Sequence, residues 1–281
     1  MKKICVILII FFSVSSVYAD NSIYCPSKTL KIIEKESFWN KVTGINFFSK
    51  KVAEAIIEKE LGEEFKSNFD VNLQIYTVQR LKNGEFKSIE IKAPFIRYKA
   101  LSMSEFYAET VCTYNNVIYK KSKIYYPVDL PFKYKGIITN FDILSTINSK
   151  QFQKEIINNP LKISGINLFQ IKTPKVELKN NRIFFEIPIK TLFGSTKLKF
   201  NSDVEVKNNK VVLKDITFNS KSNIISNNML IPILNQINPI AYDTSIDSKY
   251  CKLYITNAKI VSNKIETDGI FIIKKNYEGN E

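Results

Sequence analysis

The chain has 281 residues, a formal net charge of +14, 44% hydrophobic residues, no histidine and 4 cysteines. Without histidine it lacks the usual general base for a Ser or Cys nucleophile and the commonest zinc ligand. With only 8 glycines and no GxSxG, CxxC, phosphate-cradling or EF-hand pattern, it reads as a non-enzymatic protein that needs no cofactor or metal.

The first residues read as a signal peptide, 1–19. Lys2 and Lys3 form the charged start, Ile4 to Phe12 the apolar run, and Val17-Tyr18-Ala19 a small-x-small cleavage site. The run is too short to cross a bilayer comfortably, so the expectation is an exported protein of the periplasm or cell envelope. Cleavage removes Lys2 and Lys3 and takes the charge from +14 to +12. It also removes Cys5 and leaves Cys25, Cys112 and Cys251, an odd set that allows one disulfide in any of its pairings. In an exported protein nucleic acid is not the expected partner, whereas phospholipid head groups or a membrane surface are. The alternative is that lysines such as those in Lys197-Leu198-Lys199-Phe200 form the wet face of a sheet and guard its edges.

Residues 20–45 are a lead-in with a short helix predicted over Thr29–Glu36 and the one tryptophan, Trp39. From Asn46 to Ser67 the spacing predicts an amphipathic helix. Phe48, Val52, Ile56 and Lys59 share one row, and Phe47, Ile57, Leu61 and Phe65 widen the apolar stripe beside it. Strands follow. Val71–Ile75 alternates strictly, Lys82-Asn83-Gly84 signals a hairpin, and Phe86–Tyr98, Leu101–Tyr114 and Val117–Phe132 continue the meander. Asn140 reads as the N-cap of a second helix that runs through Phe141, Leu144, Ile147, Phe152 and Ile156. A second meander spans Leu161–Leu178, Arg182–Leu192, Thr196–Val206 and Val211–Phe218. A third apolar segment, Ile224–Ile240, precedes two final strands, Lys252–Val261 and Lys264–Lys274. Prolines at 94, 127, 131, 174 and 188 fall in or beside strands, which predicts bent, curved sheets.

The fold class expected is α+β: long curled antiparallel meander sheets wrapped around amphipathic helices. The order is helix plus four strands, twice, then helix plus two strands, a weak internal duplication. The predicted domain is single and elongated, 46–275, with pseudo-repeats at 46–138 and 139–219, a C-terminal helix and hairpin at 224–275, and a tail at 276–281. Two carboxylate pairs, Glu105 with Glu109 and Glu58 with Glu60, have no polar constellation around them and read as solvated surface.

The helix VAEAIIEKELGEEF, the strand-turn-strand DVNLQIYTVQRLKNGEFKSIEIKAPFI and the helix entry GIITNFDILSTINS carry a further signal. Thr139, Asp142 and Ile143 make a Thr-x-x-Asp-hydrophobic step. With these features and the late Leu-Ile-Pro segment, the layout over roughly 47–274 resembles the LmeA-like phospholipid-binding family of exported envelope proteins. The Lys-, Asn- and Phe-rich composition departs from it. The resemblance implies binding of phospholipid acyl chains in an apolar groove, for lipid transfer or envelope maintenance. Each methylene moved out of water is worth about 0.8 kcal/mol, so such a groove needs a continuous apolar lining. Candidates for it are Phe48, Val52, Ile56, Ile89, Ile91, Phe95, Tyr126, Val128, Leu130, Phe185, Ile187, Leu198 and Phe200. Lys120, Lys121, Lys123, Lys133 and Lys135 are candidates to meet phosphate head groups as mobile point charges. The alternative is an envelope scaffold or protein-interaction module with a core filled by side chains and a protein partner at a strand edge.

Overall fold

The structure, a computed structural model, describes residues 25, 45–98, 101–120, 123–158, 161–163, 166–191, 194–207, 210–218, 234, 238 and 251–276. The predicted signal peptide, the helix expected at Thr29–Glu36 and nearly all of the apolar segment Ile224–Ile240 lie outside these residues. The chain is α+β and mostly antiparallel sheet with a few helices.

In chain order the elements begin with α1 (Ile45–Phe65), β1 (Asp70–Gln74), α2 (Val78–Lys82), β2 (Glu85–Phe86), β3 (Ser88–Tyr98) and β4 (Leu101–Thr110). The short strands β5 (Asn115–Asn116), β6 (Ile118–Lys120) and β7 (Lys123–Tyr125) precede β8 (Leu130–Ile138). Next come α3 (Asn140–Ile147), α4 (Lys150–Phe152) with a wide helical turn over Gln153–Ile157, β9 (Leu161–Ile163), β10 (Ile166–Ile171) and β11 (Lys175–Lys179). The last strands are β12 (Arg182–Thr191), β13 (Gly194–Lys207), β14 (Lys210–Phe218), β15 (Cys251–Val261) and β16 (Lys264–Ile273).

Two large antiparallel sheets result. One runs β1-β3-β4-β8-β16-β15, so the C-terminal hairpin completes the sheet begun by the first meander. The other runs β14-β13-β12-β10-β9, with β11 also paired to β12. Strict alternation builds both. Val71 and Leu73 of β1 are buried between exposed Asp70, Asn72 and Gln74, and Ile183, Phe185, Ile187 and Ile189 of β12 all point inward. The buried faces of both sheets join one hydrophobic core, and β13 lies against β15. Phe132 stacks on Phe271 and Phe185 on Phe200, each with ring centroids 4.6 Å apart. Such offset aromatic pairs add about 0.5–1.5 kcal/mol beyond their area burial.

Helix side chains close two of the free strand edges. An edge strand leaves every second N–H unpaired, a cost that must be met. On β1 those N–H groups belong to Val71 and Leu73. Leu73 donates to Glu54 Oε1 at 2.8 Å and Val71 to Glu58 Oε1 at 3.1 Å, both from α1. On β11 the amide of Asn140 does the same work. Its Oδ1 accepts from the Leu178 N–H at 2.6 Å and its Nδ2 donates to the Leu178 carbonyl at 3.2 Å.

Several expectations need correction. The hairpin expected at Lys82-Asn83-Gly84 is the end of α2, which Asn83 caps. Gly84, at φ 81, turns against β5 so closely that a Cβ there would sit 1.7 Å from the Val117 carbonyl oxygen. The strand expected over Val117–Phe132 is a small hairpin, β6–β7, followed by β8. Pro127, which lacks an N–H donor, falls in the gap between them. Asn140 is not the N-cap of α3. Thr139 is, in a capping box with Asp142, and Asn140 is spent on β11. The helix predicted through Ile156 breaks at Asn148, where Ser149 caps a new short turn.

Candidate functional site

The groove candidates divide sharply by position. Ile89, Ile91, Tyr126, Leu130, Phe185, Ile187, Leu198 and Phe200 are all buried within the shared core, packed against other side chains. Phe95 and Val128 are half-buried. Val52 and Ile56 are not in the interior at all: they are 44% and 56% exposed, and the side chain of Phe48 lies outside the described residues. The reason is geometric. At about 100° per residue, Val52, Ile56 and Lys59 form one side of α1, and Leu61 and Phe65 form the opposite side. The sheet takes the side that also carries Glu54 and Glu58, because those carboxylates satisfy the edge of β1.

The head-group lysines do not converge on a site either. Lys133 and Lys135 project from the middle of β8 on the outer face, and Lys133 pairs with Glu109 at 2.9 Å. Lys121, and the side chains of Lys120 and Lys123, lie outside the described residues. Of the carboxylate pairs, Glu58 is taken up by β1, and Glu109 accepts from the Tyr107 hydroxyl at 2.9 Å. Burial, aided by Glu109, pushes the Tyr107 phenol up to about 12. Glu105 sits at a bulge with φ 65.

Most sheet lysines are similarly engaged. Lys197 and Lys199 straddle Glu186 at 2.8 and 3.1 Å and hold its carboxyl down at about 2. This is the wet-face role for lysine, and among the described residues no group of three or more acidic, His or Cys side chains is placed to hold a metal.

Sequence reasoning missed a surface seam. At the C-terminal end of α1 lies an open depression of about 660 Å³, lined by Glu58, Lys59, Gly62, Glu63, Lys66, Ser67, Asn68, Phe69, Pro94 and Phe95. Two local features shape it: α1 ends with Lys66 in the left-handed region at φ 51, and Ser67 donates to the Phe95 carbonyl. Phe95 then reaches Phe141 on α3, ring centroids 6.4 Å apart. Phe141 is 65% exposed and Leu144, one turn along, 43%. Arg97 sits on the same flank and donates to Ser145 Oγ at 2.7 Å. The seam therefore runs from the outward row of α1 through Lys59 and the depression to the outer face of α3. Its signal was present in the sequence as two apolar rows on one helix, but only one of those rows can face the sheet.

Beneath α3, buried Asp142 fixes this arrangement. Its Oδ2 accepts from the Thr139 N–H and hydroxyl at 2.8 and 2.7 Å and from the Ser104 N–H and hydroxyl at 3.0 and 2.8 Å. The Thr-x-x-Asp step is thus a structural lock between α3 and β4.

Cys25 and Cys112 form a disulfide across 87 residues of sequence, and no described helix is long and apolar enough to cross a membrane. Compared with family models, curated proteins and solved structures, the chain matches none.

Proposed function

We propose that this is a non-enzymatic protein of the cell envelope that binds phospholipid at its surface, through the seam formed by α1, Phe95 and α3. The observation that carries this reading is the exposed apolar row Phe141–Leu144, joined through Phe95 to a lysine-bearing depression and to Val52 and Ile56 beyond it. Burying an exposed Phe or Leu side chain is worth about 1.5–3 kcal/mol, and each nearby Lys or Arg adds about 1 kcal/mol at an anionic surface. The apolar contacts therefore dominate and the basic charge assists. The packing of the groove candidates against one another favours a filled interior with lipid held outside it.

Export is supported by the Cys25–Cys112 disulfide, since such bonds persist in oxidising compartments. Both pseudo-repeats open on a helix and continue as antiparallel strands, which supports reading 46–138 and 139–219 as divergent copies.

Two measurements on the mature chain test the reading. Flotation with phospholipid vesicles is expected to carry it upward, and native mass spectrometry of protein purified from envelope is expected to give the bare chain mass. Failure to float would sink the lipid reading. Stoichiometric lipid surviving in the gas phase, with flotation unaffected by seam substitutions, would restore the interior groove.

A further inference from the structure

We infer that the depression at the end of α1 is a head-group site for a phospholipid that carries both a phosphate and a primary ammonium, as phosphatidylethanolamine does; the quaternary ammonium of phosphatidylcholine has no N–H to donate to a carboxylate. This inference rests on the surface-binding reading above and names the head group that the seam selects.

The depression differs from the sheet faces in its unpaired charge. On the sheet faces many lysines and glutamates are matched: Lys133 with Glu109, Lys179 with Glu177, Lys259 with Glu266. Around the depression they are not. Lys59, Glu63 and Lys66 all line it, and among the described residues none of the three has an ion pair or side-chain hydrogen bond partner. Two cations and one anion are thus left open around one concave site, whose other carboxylate, Glu58, is held by the Val71 N–H.

That set is complementary to a phosphodiester and an ammonium. A phosphate oxyanion accepts from two lysine ammonium groups, each a mobile point charge with three donors. The head-group ammonium has its own matched environment. Glu63 lies in the last turn of α1, which contains no basic residue. The C-terminus of a helix carries the negative end of the macrodipole, so a cation beside Glu63 is favoured by both. Phe69 and Phe95 wall the depression, and an aromatic face is compatible with an ammonium ion. From Phe95 the apolar path continues to Phe141, on the side where the glycerol and acyl chains of a membrane-resident lipid would lie. A purely anionic head group would leave Glu63 opposed.

The test uses the full mature chain and three vesicle compositions: phosphatidylcholine alone, with phosphatidylethanolamine, and with phosphatidylglycerol. A parallel NMR titration uses soluble glycerophosphoethanolamine, with inorganic phosphate as control. The expected result is stronger flotation with phosphatidylethanolamine than with phosphatidylcholine alone, by roughly fivefold, the scale of one exposed ion pair. Glu63→Gln should abolish that preference while leaving flotation itself intact, and Lys59→Ala with Lys66→Ala should weaken flotation at every composition. Glycerophosphoethanolamine should shift amide resonances of residues 59–69 and 94–95, and phosphate alone should shift them less. Equal flotation at all compositions, indifferent to Glu63→Gln, would overturn the head-group site and leave surface binding standing. A preference for phosphatidylglycerol would overturn the amine assignment. No flotation at any composition would overturn the surface reading itself, whereas the soluble titration would still decide whether the depression takes the head group: no shifts, or equal shifts with phosphate, would refute it.

Discussion

Gly269 shows how much one hydrogen decides in this core. It lies opposite Ile255 in the β15–β16 ladder, and a Cβ there would meet the Tyr254 carbonyl oxygen at 2.0 Å and the Tyr134 ring at 3.0 Å. Because the nearest atom is backbone, the clash cannot be relieved by a rotamer change. Gly269→Ala is expected to destabilise the fold by about 1–3 kcal/mol or more, read from the shift in a urea transition. Phe141 is the opposite case. Exposed and outside the core, it should tolerate Phe141→Ser with stability unchanged to within about 0.5 kcal/mol, so a loss of lipid binding in that variant reports on contact and not on folding. Some residue roles were legible in the sequence: the alternating Ile183, Phe185, Ile187 and Ile189 could only be one buried face. Others were not. Val52 and Ile56 have the same chemistry as Ile57 and Leu61, and choosing between the rows requires knowing that Glu54 and Glu58 bond an edge strand.

That bond governs α1 as an element. Glu54 is only 2% exposed. Burial alone would raise its carboxyl, but Lys51, the Leu73 N–H and Lys50 outweigh it and hold the carboxyl below the ordinary 4.5. Glu54→Leu leaves the Leu73 N–H without its acceptor and should cost about 2–3 kcal/mol. Glu54→Gln keeps an acceptor and should cost less. The pH dependence has a definite sign. A carboxylate with a lowered folded pKa binds fewer protons folded than unfolded, so its stabilisation is complete above the unfolded value and fades as pH falls through the folded one. Glu54, Glu109 and Glu186 all lie below 4.5, Glu186 at about 2. Stability measured by urea unfolding should therefore fall from about pH 5 down towards about pH 2, and less steeply in Glu54→Gln; a flat profile across that window would contradict the edge-closing role of α1. At this scale the strands were legible from their period of two, and breaks were not: Pro127 marks one, but the β6–β7 hairpin before it depends on pairing that no local pattern specifies.

For the whole molecule, the least legible feature is the joining of β16 to β8. It pairs Thr267 with Gly136 and Ile265 with Ile138, residues more than 120 positions apart, and sequence periodicity carries no information about partners at that distance. The Cys25–Cys112 pairing was one of three open choices for a similar reason. It ties the lead-in to the end of β4, and reducing it should lower stability by about 2–4 kcal/mol, measured by comparing urea transitions with and without a thiol reductant. On the proposed reading, a two-sheet body with one shared core holds phospholipid on its outside. Vesicle flotation of residues 20–281 beside a Val52→Ser/Ile56→Ser/Phe141→Ser/Leu144→Ser variant, with the urea transition of each recorded in parallel, tests this reading. The wild type is expected to float and the variant, equally folded, to stay at the bottom of the gradient. A folded variant that floats as well as the wild type would contradict the reading.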